Sequence, residues 1–217
     1  MNEASILFGM ADVKREDRLP YRKQQALATR ARIAVAARRL FSEQGYAATP
    51  IAGIAAEAGV AVSTVYAIFG NKRSILAAIC EAWLEEAQIR PLLAQALADG
   101  DVRHRLATAA QWTRRQWERG ADVVPLLDAA AKDDPDVATM LAGWIEDKSR
   151  AMAHFVASLE GALRPGLDTG RASDLFDALT IPELYRDLVD RSGWSPDEYE
   201  RWLASALAWQ LLGQAEP

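Results

Sequence analysis

Ser63, Thr64 and Tyr66 place three hydroxyls within four residues, beside Val62 and Ala67 and with no charged side chain before Lys72. Hydroxyls donate and accept hydrogen bonds, small apolar groups fit against thymine methyls, and a lysine close by suits a phosphate oxygen. A helix showing only small side chains and one phenol can lie deep in a DNA major groove, which is about 12 Å wide. The chemistry on offer is therefore recognition rather than bond-making. No glycine-rich phosphate loop, nucleophile elbow or Ser/His/Asp cluster occurs in the chain. His104 and His154 lack partners at zinc-like spacing, and Asp133, Asp134 and Asp136 lack the spaced ligands and glycine of a calcium loop. No catalytic residues, metal or cofactor are expected.

The elements that must hold these groups are two short helices around a turn. Thr49 before Pro50 predicts a helix start, with the threonine as cap and the proline at a position whose N–H has no partner anyway. Ile51, Ile54, Ala55 and Ala58 then fall on one stripe. Gly59 supplies the turn, where a positive φ favours glycine. A second helix begins at about Val62, with Val65 and Phe69 inward and Val62, Ser63, Thr64, Tyr66 and Ala67 on or near the outer face. Two amphipathic helices alone also fit an ordinary helical hairpin. The capped start, turn glycine, small outer face and terminal Tyr/Phe/Lys favour a nucleic-acid reader instead.

From Thr29 to Leu76 the chain resembles the TetR/AcrR family of one-component bacterial transcription regulators. Ala36, Leu40, Phe41, Gly45 and Tyr46 match the end of the family's first helix, and Thr49 the opening of its second. Ile54, Ala55, Ala58, Gly59 and Val60 match its turn, and Val65, Tyr66, Phe69 and Lys72 its recognition helix and the residues just beyond it. Ala61, Val62 and Ile68 depart from it, standing where serine, lysine or proline, and a polar residue are usual. Recognition is therefore expected to be poor in polar contacts, resting on Thr49, Ser63, Thr64, Tyr66 and Lys72, with Val62 and Ala67 at the bases and Arg30 at a phosphate or minor groove. The resemblance implies an all-α fold: an N-terminal three-helix DNA-binding domain with a helix-turn-helix, then a larger helical ligand-binding and dimerisation domain. The boundaries expected are a disordered extension over 1–21, the DNA-binding domain over 22–72 and the larger domain over 73–217.

Charge is divided in the same sense. Residues 1–80 hold 11 Lys/Arg against 6 Asp/Glu, whereas residues 81–217 hold 14 against 24. The net charge of −5 thus hides a basic N-terminal part on an acidic remainder, an arrangement that turns the former toward phosphates. No run of 18 apolar residues supports a membrane span, and Ile6–Ala11 has neither the basic leader nor the cleavage site of a signal peptide. A single cysteine, Cys80, excludes an internal disulfide and fits the cytoplasm, with no membrane partner.

The rest of the chain reads as helices: 72–97 kinked or interrupted at Pro91, 102–119, 124–132, 134–163, 171–191 broken near Pro182, and a last one starting at Ser195-Pro196 and reaching Leu212 or Gly213. Leu175, Phe176, Leu179, Ile181, Leu184, Tyr185 and Leu188, followed by Trp194, Trp202, Leu203, Leu207, Trp209, Leu211 and Leu212, exceed what two helices can bury on one partner face each. The surplus predicts self-association through Leu175, Leu179, Leu184, Leu188, Trp202, Leu207 and Trp209. The family's small-molecule pocket is expected around Trp83, Trp112, Arg115, Met140 and Trp144, although each is also at ordinary core spacing. The function implied is a homodimeric, sequence-specific regulator, a repressor of operator DNA released by an unidentified small molecule. The alternative is a helical small-molecule-binding protein or enzyme that retains the helix-turn-helix as scaffold.

Overall fold

A computed structural model describes residues 21–213, and every regular element in that range is helical. The order is α1 Tyr21–Gln44, α2 Ile51–Glu57, α3 Val62–Phe69, α4 Lys72–Glu86, α5 Ile89–Ala98, α6 Val102–Gly120, α7 Val123–Asp133, α8 Pro135–Ala157, α9 Thr169–Leu179, α10 Pro182–Tyr185 and α11 Pro196–Leu212. A 3₁₀ turn occupies Glu160–Ala162, and α10 continues into a π-helical turn over Arg186–Arg191. The all-α class expected from the sequence is the class observed. The extension up to residue 20, with its basic residues, lies outside the described residues.

The chain forms two compact units. One comprises residues 21–83 and 122–144. Its core is built from Ile33, Ala37 and Phe41 of α1, Ile54 of α2, Val65 and Phe69 of α3, and Ile75, Leu76 and Ile79 of α4, all buried. Phe41 and Tyr46 meet at 5.1 Å between ring centroids, joining the end of α1 to the following turn. Arg38 of α1 grips Asp122, just before α7, through two hydrogen bonds of 2.7 and 2.5 Å. Arg73 of α4 forms an ion pair with Asp136 in the first turn of α8. Cys80 is buried in this unit, and burial pushes its thiol up to about 12, which keeps it protonated and inert.

The second unit comprises residues 84–121 and 145–213. Here α6 packs along α5 and α11, and α9 also lies on α11. Trp112, Phe155 and Phe176 close a three-ring cluster with centroid distances of 5.1, 5.6 and 6.5 Å. Arg114 of α6 faces Glu118 on its own helix and Asp197 and Glu200 on α11. The start of α11 is fixed by a capping box: Ser195 accepts from the Glu198 amide while Glu198 accepts from the Ser195 amide.

Several helix boundaries differ from the expected ones. The stretch after Lys72 is interrupted, but ahead of Pro91 rather than at it: the break between two helices falls at Ala87–Gln88, with Gln88 left-handed at φ 56°. Proline cannot donate to the carbonyl four residues before it and its ring crowds that carbonyl, so a helix cannot run from Ala87 through Pro91. It is tolerated in the first turn, and Pro91 is the third residue of α5. The helix expected to reach residue 163 ends at Ala157, where the Ser158 hydroxyl donates to the Phe155 carbonyl at 2.6 Å.

Candidate nucleic-acid interface

α2 and α3 meet at 107°, within the range of a helix-turn-helix. The turn between them closes as a Schellman motif. The Val60 amide donates to the Ala55 carbonyl at 2.9 Å and the Gly59 amide to that of Ala56 at 3.1 Å, with Gly59 at φ +64°. α3 then starts at Ala61, which has extended backbone and no capping side chain, and it ends where the Gly70 amide donates to the Tyr66 carbonyl at 2.8 Å. Val65 and Phe69 anchor the inner face, as their spacing predicts.

The outer face carries the residues singled out in the sequence. Val62 is 41% exposed and Tyr66 52%, and Ser63 and Ala67 are exposed beside them. Thr64 is half-buried. Arg30 comes to this helix from α1, its guanidinium 4.5 Å from the centroid of the Phe69 ring, a cation–π contact that leaves the side chain at the surface. Four exposed residues of α3, the half-buried Thr64 and a cation beside the far end of the helix are thus brought together.

Two residues expected at this face are placed elsewhere. Thr49 is only 1% exposed, and its hydroxyl donates to the carbonyls of Gly45 at 2.8 Å and Leu40 at 3.3 Å. It caps no helix start: the residue before α2 is Pro50, without a side-chain cap. A buried hydroxyl must find a partner, and the carbonyls of Leu40 in the last turns of α1 and of Gly45 just after it supply it. Lys72 is also occupied within the fold. Its ammonium donates to the carbonyls of Tyr46 at 2.6 Å and of Ala47 and Thr49 at 3.3 Å, and lies 4.4 Å from the centroid of the Tyr46 ring. Desolvation lowers the Lys72 pKa, opposed by Asp134. Burial, reinforced by Asp134, raises the Tyr46 phenol to about 12.

Of the residues expected around a ligand, Trp83, Met140 and Trp144 belong to the first unit and Trp112 and Arg115 to the second. Trp112 is part of the three-ring core cluster, and Arg115 donates to the side-chain oxygen of the left-handed Gln88. Of those expected at a self-association surface, Leu175, Leu179, Leu184, Leu188 and Trp202 are half-buried, and Trp209 is 55% exposed. Leu207 is the exception, with no exposure at all. It lies on the inward stripe of α11 with Tyr199, Leu203 and Leu211, one every four residues, so it serves the chain's own core. Ile181, part of the same apolar surplus in the sequence, is exposed just before α10.

Among the described residues no single helix is long and apolar enough to cross a membrane; α2 and α3 reach that composition only as a bent pair. No curated protein matches the chain in sequence. Among solved structures, NalD, the secondary repressor of the MexAB-OprM multidrug efflux pump in Pseudomonas aeruginosa, is 20% identical. It aligns over 87% of this chain and 98% of its own with a TM-score of 0.68. A complex of SmeT with triclosan is 23% identical over 85% of this chain and 92% of its own, with a TM-score of 0.66. A regulator from Saccharomonospora viridis in complex with choline is 20% identical over 87% and 100%, with a TM-score of 0.61. These likenesses establish the fold. Residues 33–79, spanning the second half of α1, the helix-turn-helix and the first part of α4, match the model of the bacterial regulatory proteins of the tetR family.

Proposed function

We propose that the protein is a homodimeric repressor that binds operator DNA through α3 and leaves it when a small molecule binds. The observation that carries this reading is the outer face of α3, where Val62, Ser63, Tyr66 and Ala67 stand exposed on a helix set at 107° to α2. Ser63 and Thr64 offer hydroxyls to base edges, Tyr66 reaches a phosphate, and Arg30 adds a cation beside Phe69. Thr49 and Lys72 act behind this face, holding the turn that leads into α2.

One such helix reads only a few base pairs. Two related by a dyad can enter successive major grooves about 34–36 Å apart. The exposed Trp209 and Ile181, with Trp202 and the half-buried leucines of α9 and the α10 segment, are the apolar surface available to a second copy. A ligand would act by preferring a conformer in which the two recognition helices no longer match the operator spacing. Trp83, Trp112, Arg115, Met140 and Trp144 are the candidates for contacts with such a ligand. Titrating the cytoplasmic metabolite pool against the bound complex would reveal a releasing compound.

The decisive experiment is selection of bound sequences from random duplex DNA. An enriched, two-fold symmetric sequence whose affinity falls steeply with salt supports the reading, and equal binding to all duplexes refutes it. Tyr66→Phe should weaken binding to every sequence alike, while Thr64→Ala should also change base preference.

A further inference from the structure

We propose that α3 selects its target through thymine methyl groups, with Val62 as the specificity-determining contact. This rests on the DNA-binding reading of α3 and narrows it to a class of target.

Bidentate hydrogen bonding identifies guanine through Arg or Lys and adenine through Asn or Gln. The helix sequence VSTVYAIF contains none of these four, and no carboxylate that could accept from cytosine. Its hydroxyls each make single bonds to donors or acceptors alike and so discriminate weakly. Tyr66 carries its phenol on a long arm toward the backbone, which fixes register without reading sequence. There remains the thymine methyl, the one apolar feature on the major-groove edges.

Val62 is placed to meet it. It is the first residue of α3, directly after the extended Ala61, and N-terminal residues of a recognition helix approach the base edges. Its branched side chain is stiff at χ1, so its two methyls are already oriented before DNA arrives. At 41% exposed, the side chain is accessible at the surface rather than buried in the core. Ala67 offers a second, smaller methyl contact one turn after Ser63 on the same exposed surface. Burying one methyl against another is worth about four-fold in affinity, the equivalent of a buried CH₂.

The test uses the full chain and the duplex recovered by selection. Each thymine is replaced in turn by deoxyuridine, which removes the 5-methyl and leaves the base pair intact. The wild-type protein should lose about four-fold at one or two positions in each half-site. Val62→Ala, checked for an unchanged melting temperature, should bind thymine and uracil equally at one of those positions while staying sensitive to the other substitutions. Sequence preference that survives every uracil replacement within two-fold overturns the proposal and leaves the DNA-binding reading standing. Uracil sensitivity that Val62→Ala leaves unchanged at all positions overturns the assignment to Val62. Absence of any sequence preference overturns both.

Discussion

The Lys72 ammonium lies 2.6 Å from the Tyr46 carbonyl and 4.4 Å from the Tyr46 ring centroid, so one cation closes the turn after α1 on its backbone and aromatic sides together. A lysine at this point in a DNA-binding domain invites assignment to a phosphate. Its three carbonyl partners make it a positioning residue instead. Lys72→Met should lower stability by about 1.5 kcal/mol, the scale of a charged hydrogen bond. It should weaken operator binding by a factor that stays constant across salt. A direct phosphate contact would instead reduce the slope of log affinity against log salt by about one, so a titration from low to moderate salt separates the two roles.

Thr49→Val keeps the shape of the side chain and removes the hydroxyl that donates to Gly45 and Leu40. A loss of about 1 kcal/mol in denaturant unfolding is expected, because the carbonyls at the end of α1 are left without this donor. Operator affinity measured well below the melting temperature should change less than two-fold.

Asp122 supplies a pH dependence. The Arg38 guanidinium holds its carboxyl below the ordinary range, with burial opposing. The stability this pair contributes is complete above the unfolded carboxyl pKa of about 3.9 and is lost as pH falls through the lower folded value. The carboxylate is partly exposed, so the pair is worth only about 0.5–1 kcal/mol. Asp122→Asn should therefore be less stable than wild type by that amount at pH 7, with the gap narrowing below about pH 4 in urea unfolding.

The two faces of α11 should respond in opposite ways. Trp209→Ser is expected to fold normally and to shift the molecular mass measured by light scattering from dimer toward monomer. Leu207→Ser is expected to cost about 3 kcal/mol or more, because it puts a hydroxyl and a void into a fully buried site. A folded monomer from Leu207→Ser would reverse the assignment of the two faces.

The helix-turn-helix was legible because its signals are local. Gly59, the inward pair Val65 and Phe69, and the small outward groups of α3 all follow from spacing within two dozen residues. Thr49 misled for the same reason: a threonine before proline has the form of a cap, and only the folded chain brings the Leu40 carbonyl to it from nine residues away. Pro91 correctly announced an interruption but not its place, since the strain falls on the carbonyl four residues earlier and the break appears at Ala87–Gln88. Arg38 and Asp122 are separated by 84 residues, and no periodicity links them. Leu207 and Trp209 are both apolar on one helix, and composition alone does not divide them between faces; the four-residue stripe from Tyr199 to Leu211 does.

That stripe has an evolutionary consequence. Because Tyr199, Leu203, Leu207 and Leu211 hold α11 in place from one side, substitutions at the exposed Trp209 on the other are released from the demands of folding. If copies of the chain pair through this face as proposed, then after a gene duplication the two can diverge at Trp209 until each prefers its own kind, with the inward stripe untouched. In the proposed dimer, the helix would thus let regulators of one fold coexist in a cell without exchanging subunits.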